Sequence, residues 1–447
     1  MSADSGVARA DETLRPAPPC AAAGFALPSE FWSRFHDEHW EKRATVLKQP
    51  FPTRIAQPHD SFRCLVDVSD RYRSGDQDIL LKFCVGQTQQ LADVGQYLPE
   101  RRDGSVAGYA QRVTGMLGGQ RFGLVVEDFQ AFDATLWLRL REFLGGLFEF
   151  TGLPRESAKA TVFLGNYERT PWGLHRGRSG NFQLIVDGPK RIRSWPDAFF
   201  RGKEDPSYRL DYRDYNADST VLEAGPGDVI YWPSDTWHVG ESVDGALSFA
   251  ISVALFIDQH STPALLEQAR GLVARRLDPI DRAERLDLRP SNLGDSATAV
   301  DAVVRRATAA LREVTDDDGL ELGLRVAWLN QVTAFGFTVP PQPLAREPLA
   351  DECMVRALSA YPILWLRDAT DDLICSANGH AFSVTASPRI LAFLESLNGG
   401  APHRVRDLIA AHSGVAVADG VEYDTTPKNI RALLEKLVSF RAVIVES

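Results

Sequence analysis

The fold is decided between residues 160 and 257, where short runs of β-branched and aromatic residues follow one another. In chain order they are ATVFLGNY (160–167), NFQLIVDG (181–188), KRIRSWP (190–196), STVLEAGPGDVIYWP (219–233) and ALSFAISVALFI (246–257). Glycine, proline and aspartate separate them, as in strands that are joined by turns. This pattern predicts a mainly β core, an antiparallel barrel or jelly roll.

The stretches on the N-terminal side of this core have the periodicity of helices. Residues 25–51 have a Ser/Glu start and space Phe31, Phe35 and Trp40 along one helical face. Residues 128–152 carry apolar residues with a period of about 3.6 and end at a glycine. We therefore expect a lead-in helix and a second helix that packs on the sheet.

On the C-terminal side, the sequence predicts two further modules. Residues 263–345 are helical in pattern, and the proline-rich TVPPQPLAREP (338–348) reads as a linker. Short strands and three helices with proline at or near their starts then indicate a winged helix. The predicted parts are a disordered tail (1–26), the β core domain (27–260), a helical module (261–347) and a winged-helix-like α+β domain (348–447).

Composition and charge exclude several classes of protein. The 447 residues include 49 Lys+Arg and 60 Asp+Glu, a net charge of −11 that opposes attraction to nucleic acid or anionic lipid. The five cysteines form no CxxC pair, which argues against a zinc finger or a disulfide scaffold and favours a reducing compartment. No export signal and no run of about 18 apolar residues is found. We expect a cytoplasmic protein without a membrane or nucleic-acid partner.

Two histidines of the β core stand in informative contexts. His175 lies in TPWGLHRGRSGNFQLIVDGPKR (170–191), and His238 lies in AGPGDVIYWPSDTWHVGES (224–242). A lone histidine in a strand is more often structural than a ligand. Here, however, a strand follows the turn PGD, and His238 comes five residues after the proline that ends this strand. That position would place His238 at the mouth of a barrel. Lys190, fifteen residues after His175, is a cation that can receive a dicarboxylate.

Together these residues resemble the JmjC and cupin-like branch of the Fe(II)/2-oxoglutarate oxygenases. That family has a His-x-Asp strand, a second histidine after PGD-[VL]-[IL]-Y-x-P, and a lysine in a G-x-KR turn. The resemblance covers roughly residues 25–260 and implies a double-stranded β-helix that uses O₂. It implies that His175 and His238 bind Fe(II) and that Lys190 binds 2-oxoglutarate. Residues expected beside this cosubstrate are Tyr167, Thr170, Asn181 and Ser252.

The order of the predicted parts also resembles the ribosomal oxygenases. A lead-in helix, a barrel, a helical dimerisation module and a C-terminal winged helix follow one another in that layout. The resemblance implies that residues 261–347 form a homodimer interface. It also implies a peptide, protein or amino-acid-like substrate.

The sequence departs from the family pattern at the third metal ligand. A facial triad needs one carboxylate, but the residue in register is Gly177, in His175-Arg176-Gly177. The acids nearest in sequence are out of register with the motif, and we interpret them as turn or surface carboxylates. They are Glu168, Asp187 and Asp235.

Three explanations for Gly177 remain open. In non-haem iron halogenases of the same superfamily the motif reads His-x-Ala or His-x-Gly, and a halide fills the vacated position. Chloride would restore the lost negative charge, and Arg176 and Arg178 could favour an anion there, although two arginines beside a turn are more often solvated or paired. Alternatively, a hydroxylase completes its iron site with water or another acid, or the site is degenerate and the chain is a peptide-binding scaffold. We favour an enzyme that functionalises an unactivated C–H bond, and we favour halogenation over hydroxylation.

The C-terminal domain has three possible roles: packing, peptide binding and DNA reading. Its candidate recognition helix, HRVRDLIAAH (403–412), carries only Arg404 and Arg406 as permanent cations. Two cations are too few for a phosphate-binding face, so packing or peptide binding is favoured. The histidines of this domain lack metal-like spacing and are expected on the surface; they are His380, His403 and His412.

The first testable prediction concerns oligomeric state. The apolar residues Leu265, Leu266, Leu272 and Val273 of the helical module are expected to form a homodimer interface; the alternative is a helix pair that covers its own barrel. Light scattering at tens of micromolar protein should give the mass of a dimer. A monomer mass under these conditions would contradict the prediction.

Overall fold

The computed structural model describes the chain as two compact units. One comprises Met1–Ile257 and Phe337–Gln342, and the other Asp258–Gly336 and Pro343–Ser447. The described residues are 13–14 (backbone), 24–86, 88–90, 92–170, 172–203, 205–257, 269–271, 304–305, 308–309, 311–312, 318–358, 360–368, 372–418 and 420–446. Most of the predicted tail and of the helical module, including Leu265, Leu266, Leu272 and Val273, lies outside them.

The first unit contains two sheets. Its strands are β1 Thr13–Leu14, β2 Thr45–Leu47, β3 Leu81–Val85, β4 Thr88–Gln90, β5 Phe122–Val126, β6 Ser157–Gly165, β7 His175–Arg176, β8 Gly180–Asp187, β9 Lys190–Trp195, β10 Thr220–Ala224, β11 Val229–Trp232, β12 Trp237–Ser242 and β13 Ser248–Phe256. One sheet has the order β1-β2-β11-β8-β13-β6-β5-β3-β4, and the other β10-β9-β12-β7. Every pairing is antiparallel except β1 with β2, which confirms the expected mainly antiparallel core of jelly-roll type.

Five helices of the first unit lie in its described residues: α1 Ser29–Glu38, α2 Pro58–Arg73, α3 Val106–Met116, α4 Ala134–Thr151 and α5 Asp197–Phe200. The lead-in helix and the helix after residue 128 are thus confirmed as α1 and α4. The side chain of Asp133 caps α4 by accepting from the Leu136 N–H at 2.9 Å. Gly152, with φ +71°, ends it.

An aromatic cluster joins α1 and α4 to the larger sheet. Phe182 of β8 is fully buried, and its ring centre lies 5.4 Å from that of Phe143 on α4 and 5.6 Å from that of Phe35 on α1. Tyr231 of β11 lies 4.9 Å from the same ring. Burying several aromatic side chains together fixes these helices on the strand that leads from Gly180 into the sheet.

Strand β12 is central to the smaller sheet. It pairs with β7 on one side, where His238 lies directly opposite His175, and with β9 on the other, where Ser242 lies opposite Lys190. Directly opposed residues of an antiparallel pair point to the same face. The pairing of β12 therefore brings together residues that are far apart in sequence.

The second unit contains small antiparallel sheets and helices. Its described elements are α6 Asp318–Thr333, β14 Met354–Ala357, β15 Leu364–Arg367, β16 Leu373–Ala377, β17 His380–Val384, α7 Pro388–Asn398, β18 His403–Arg404, α8 Val405–His412, β19 Gly414–Ala418, β20 Val421–Thr425, α9 Pro427–Ser439 and β21 Val443–Glu446. The sheets are β18-β14-β21, β15-β16-β17 and β19-β20. Ser387 and Thr426 cap α7 and α9, each of which begins with a proline.

The histidines of this unit differ from expectation. His380, His403 and His412 were expected on the surface, but each is half-buried. The rings of His380 and His412 lie 5.0 Å from Phe440 and 5.8 Å from Phe393, because they pack on the edge of the unit's apolar core. Among the described helices of both units, none combines the length and apolar character needed to cross a membrane.

Candidate metal centre

His175 and His238 form the centre of the site. Their ring centres are 4.3 Å apart. Each Nδ1 lies within hydrogen-bond distance of a backbone carbonyl, Gly173 O at 3.0 Å and Thr236 O at 2.9 Å. Because a carbonyl only accepts, each Nδ1 carries the proton and each Nε2 keeps a free lone pair. This is the arrangement in which histidines bind metal ions.

The separation of the two rings fits one shared metal ion. Imidazoles that bind a metal at about 2.1 Å, roughly at a right angle to each other, have ring centres about 4.5 Å apart. The site also keeps both rings neutral. Burial lowers the pKa of His175, and burial together with the charge of His175 lowers the pKa of His238 to about 3. Both histidines are therefore in the ligand form at neutral pH.

Gly177 leaves open space beside these rings. A Cβ atom built on it would lie 3.4 Å from Cε1 of His238 and 3.9 Å from Oγ of Ser179. These are ordinary van der Waals distances, and the φ angle of Gly177 lies outside the left-handed region, so the backbone does not require glycine here. What glycine provides is room next to His238.

The carboxylates of the acids nearest in sequence make other contacts. Glu168 is exposed and pairs with Arg169 at 3.3 Å, while Asp187 accepts from the Gly188 N–H at 3.0 Å. Asp235 is exposed and lies 3.9 Å from Arg176. In the described part of the chain, no cluster of three or more His, Cys, Asp or Glu residues could hold a metal ion. Among the described residues, His175 and His238 are therefore the two side chains that could hold a metal ion here.

Arg176 and Arg178, which flank Gly177 in sequence, direct their positive charges to acidic side chains and not to the open space at position 177. Arg176 pairs with Asp197 at 2.7 Å, and Arg178 pairs with Glu156 at 3.3 Å. Both guanidinium groups are substantially solvent-exposed. These contacts agree with the alternative that the two arginines are solvated or paired, and such a guanidinium group exerts little electrostatic attraction on an anion at position 177.

A cavity of about 270 Å³ adjoins the histidines. Of the residues expected beside a cosubstrate, Thr170, Asn181 and Ser252 line it. The Ser252 hydroxyl donates to Oδ1 of Asn181 at 3.2 Å, and Nδ2 of Asn181 donates to the backbone carbonyl of Ser179 at 2.8 Å. The cavity also opens to solvent, because the exposed ring of Tyr208 forms part of its wall.

Three buried polar atoms in the cavity wall have no hydrogen-bond partner among the residues that the structure describes. They are Thr170 Oγ1, Gln183 Oε1 and Trp232 Nε1. Buried polar groups in proteins are almost always satisfied, so three such atoms around one cavity indicate a complementary polar ligand or ordered water. Sequence reasoning missed Gln183, although its spacing of two residues from Asn181 along β8 is the signal for a shared face.

Lys190 and Tyr167 lie directly behind the cavity wall. Nζ of Lys190 donates to the Tyr167 hydroxyl at 2.6 Å, and Lys190 is fully buried. A Cβ atom on Gly240, which lines the cavity, would lie 3.4 Å from this Nζ and 3.1 Å from Cγ2 of Thr170. Burial lowers the pKa of Lys190 to about 7, although the charge of Glu241 acts in the opposite direction. The ammonium group thus lacks a close carboxylate partner.

The fold and the site define a jelly-roll-like protein with a pair of histidines next to a cavity that carries several polar groups. No protein-family model matches the sequence, and no curated protein matches it. Among solved structures, E. coli YcfD is similar at 16% identity and a TM-score of 0.47, over 93% of this chain and 98% of that chain.

A further similar structure is YcfD in complex with cobalt and 2-oxoglutarate, described as a ribosomal oxygenase from Escherichia coli. It gives 16% identity and a TM-score of 0.45, again over 93% and 98% of the two chains. Identities and TM-scores this low do not show which chemistry this chain performs.

The second testable prediction concerns Lys190→Met, which removes the buried ammonium. The pKa of Lys190 in the folded state lies below its ordinary value of 10.5. The cost of burying the charge is therefore complete below about pH 7 and fades as the pH rises through the interval between these values. We expect the variant to be more stable than the wild type at pH 7, on the order of 2–4 kcal/mol, with the gap closing towards pH 10.

Urea unfolding at pH 6, 8 and 10 measures this difference. Lys428→Met, at an exposed position of the second unit, is the matched control and should leave stability unchanged at every pH. A Lys190→Met protein that is less stable than the wild type, by an amount independent of pH, would show that the ammonium is not an uncompensated buried charge.

Proposed function

We propose that this chain is an Fe(II)- and 2-oxoglutarate-dependent enzyme that functionalises an unactivated C–H bond, by halogenation. The observation that carries the proposal is the pair His175 and His238, whose Nε2 atoms are free, beside a glycine at position 177. The expected substrate is a peptide, a protein or an amino-acid-like molecule.

The donor set fits an iron ion that keeps several open positions. His175 and His238 would hold it, and two neutral imidazoles leave its positive charge to be balanced by other ligands. Bound iron with 2-oxoglutarate and O₂ supplies the oxidising power that removes a hydrogen atom from carbon. The two backbone carbonyls that accept from the Nδ1 atoms keep the rings in the required tautomer and orientation.

The cavity wall fits the dicarboxylate. The Lys190 ammonium lacks a close counter-ion, and a carboxylate beside Thr170 and Gly240 would supply one while satisfying Thr170 Oγ1. The hydroxyl of Tyr167 holds Nζ in place. In this proposal Asn181 and Ser252 shape the wall next to the cosubstrate, and the Ser252–Asn181 hydrogen bond keeps their side chains fixed.

The glycine at position 177 supports an external anion as the remaining ligand. An aspartate there would have its Cβ 3.4 Å from Cε1 of His238, next to the two imidazoles. With glycine, the space is open, and a chloride ion supplies the negative charge that the missing carboxylate would have brought. Iron that carries this chloride would supply a halogen to a substrate carbon held beside it, and position 177 would decide whether there is room for the halide.

Hydroxylation is the second candidate, with water in the open position. The pairing of Arg176 and Arg178 with acidic side chains supports it, because neither arginine is left to hold an anion at position 177. A peptide-binding scaffold without catalysis is supported less, since it would bury Lys190 and three unsatisfied polar atoms without any compensating ligand.

The remaining parts of the proposal rest on the sequence pattern. They are a double-stranded β-helix core, a homodimer formed through residues 261–347, a winged-helix-like C-terminal domain that packs or binds a peptide, and a cytoplasmic location. Within the described residues the exposed Tyr208 and the neighbouring Trp172 border the cavity entrance, where a peptide substrate would make its first contacts.

The third testable prediction is the outcome of Gly177→Asp. The new carboxylate should fill the open ligand position, bring its own charge and abolish halogen transfer, while some hydroxylation persists. The variant should hold iron at least as well as the wild type. Iron content, succinate formation and product mass, each with and without chloride, measure these effects on both proteins.

Gly225→Asp is a control at another glycine that has open space around it, and it should leave chloride dependence unchanged. If Gly177→Asp lowers every activity alike, another acid already completes the site. Oxygenated product from the wild type, independent of chloride and without any halogenated species, would reject halogenation in favour of hydroxylation.

A further inference from the structure

We propose that the Ser179 hydroxyl and the Trp232 indole N–H form the anion-binding site at the position that Gly177 leaves open. The inference rests on the proposed function, because it names the groups that would hold the external anion. It assigns to this site a halide or a similarly small monovalent anion. Neither residue was expected from the sequence to take part in chemistry.

Ser179 is the hydroxyl group nearest to the gap. It is buried, lines the cavity, and its Oγ lies 3.9 Å from the Cβ position of residue 177. This oxygen already accepts a hydrogen bond from Nδ2 of Asn181 at 3.1 Å. Its own hydrogen has no acceptor among the described residues, so it is available to donate towards the open position.

Trp232 supplies a second unused donor. Its Nε1 is buried and has no hydrogen-bond partner, and the side chain lines the same cavity. Trp232 lies directly opposite Asn181 on the neighbouring strand, so both side chains project from the same face of the sheet. Its ring centre is 5.0 Å from that of His238. An indole nitrogen can only donate, which selects an acceptor such as an anion.

The chemistry of these groups distinguishes an anion from other occupants. The histidines are neutral donors of lone pairs, and the two arginines beside the gap are paired with Asp197 and Glu156. Two neutral donors, one N–H and one O–H, remain, and both belong to buried side chains. Hydrogen bonds from neutral donors are strong towards an ion in such surroundings, and they carry no charge that would compete with the metal for it.

The test measures anion binding directly, without turnover. Protein loaded with Co(II) alone is titrated with potassium chloride and, separately, potassium bromide, and the visible absorption of Co(II) reports the exchange of its ligands. The variants are Ser179→Ala and Trp232→Phe. The control is Ser248→Ala, which removes a buried hydroxyl of the same unit that does not line the cavity.

We expect each of the two variants to weaken chloride binding about ten-fold or more, the effect of losing one hydrogen bond to a charged group. The control should bind chloride as the wild type does. Near-ultraviolet circular dichroism establishes that each variant is folded, and two separate variants keep the test decisive if one of them fails to fold.

The possible failures are distinguishable. If the wild type binds chloride and both variants bind it equally well, the assignment of Ser179 and Trp232 is overturned while the proposed function stands. If Co(II) binds but its spectrum is insensitive to chloride and bromide, the external anion itself is rejected, and with it halogenation. If Co(II) does not bind, the metal centre is rejected.

Discussion

The site depends on the pairing of β12 with β7, which places His238 opposite His175. Neither histidine would be positioned for a metal without this register, because a shift by one residue would turn His238 to the other side of the sheet. The same strand pairs with β9 on its other edge and so aligns Lys190 with the wall of the cavity. One strand thus organises both the metal ligands and the cation behind them, and the aromatic cluster around Phe182 supports the facing sheet.

The second feature is a concentration of unsatisfied polar groups in one place. A threonine hydroxyl, a glutamine carbonyl and an indole N–H line a single cavity without a hydrogen-bond partner among the described residues, and a fully buried lysine, bonded to the Tyr167 hydroxyl but without a close carboxylate, lies behind its wall. Each costs free energy of folding unless a ligand or water pairs with it. Such costs are typical of functional sites, and here the Thr170 hydroxyl and the Trp232 N–H would donate to a dicarboxylate and a small anion next to a metal ion, while Gln183 Oε1 needs a donor such as water or a substrate N–H.

Much of this arrangement follows from sequence, and the reasons for the remainder are physical. The runs between residues 160 and 257 predicted the β core, and the motif contexts pointed to His175, His238, Lys190 and Gly177. The sequence did not point to Ser179 and Trp232, because the proposed role of each depends on the direction of its side chain and on hydrogen bonds that only the folded strands define. The ion-pair partners of Arg176 and Arg178 could not be predicted for a related reason, since Asp197 and Glu156 lie 21 and 22 residues away in sequence.

Iron content after anaerobic loading with Fe(II), with and without 2-oxoglutarate, tests directly whether His175 and His238 hold an iron ion beside the cavity. Wild-type protein should retain about one iron per chain and develop a visible charge-transfer band when 2-oxoglutarate is added, because two neutral histidines and an open cavity receive both. His175→Ala and His238→Ala should lose the iron and the band. Wild-type protein that holds no iron even at millimolar Fe(II) would contradict the account.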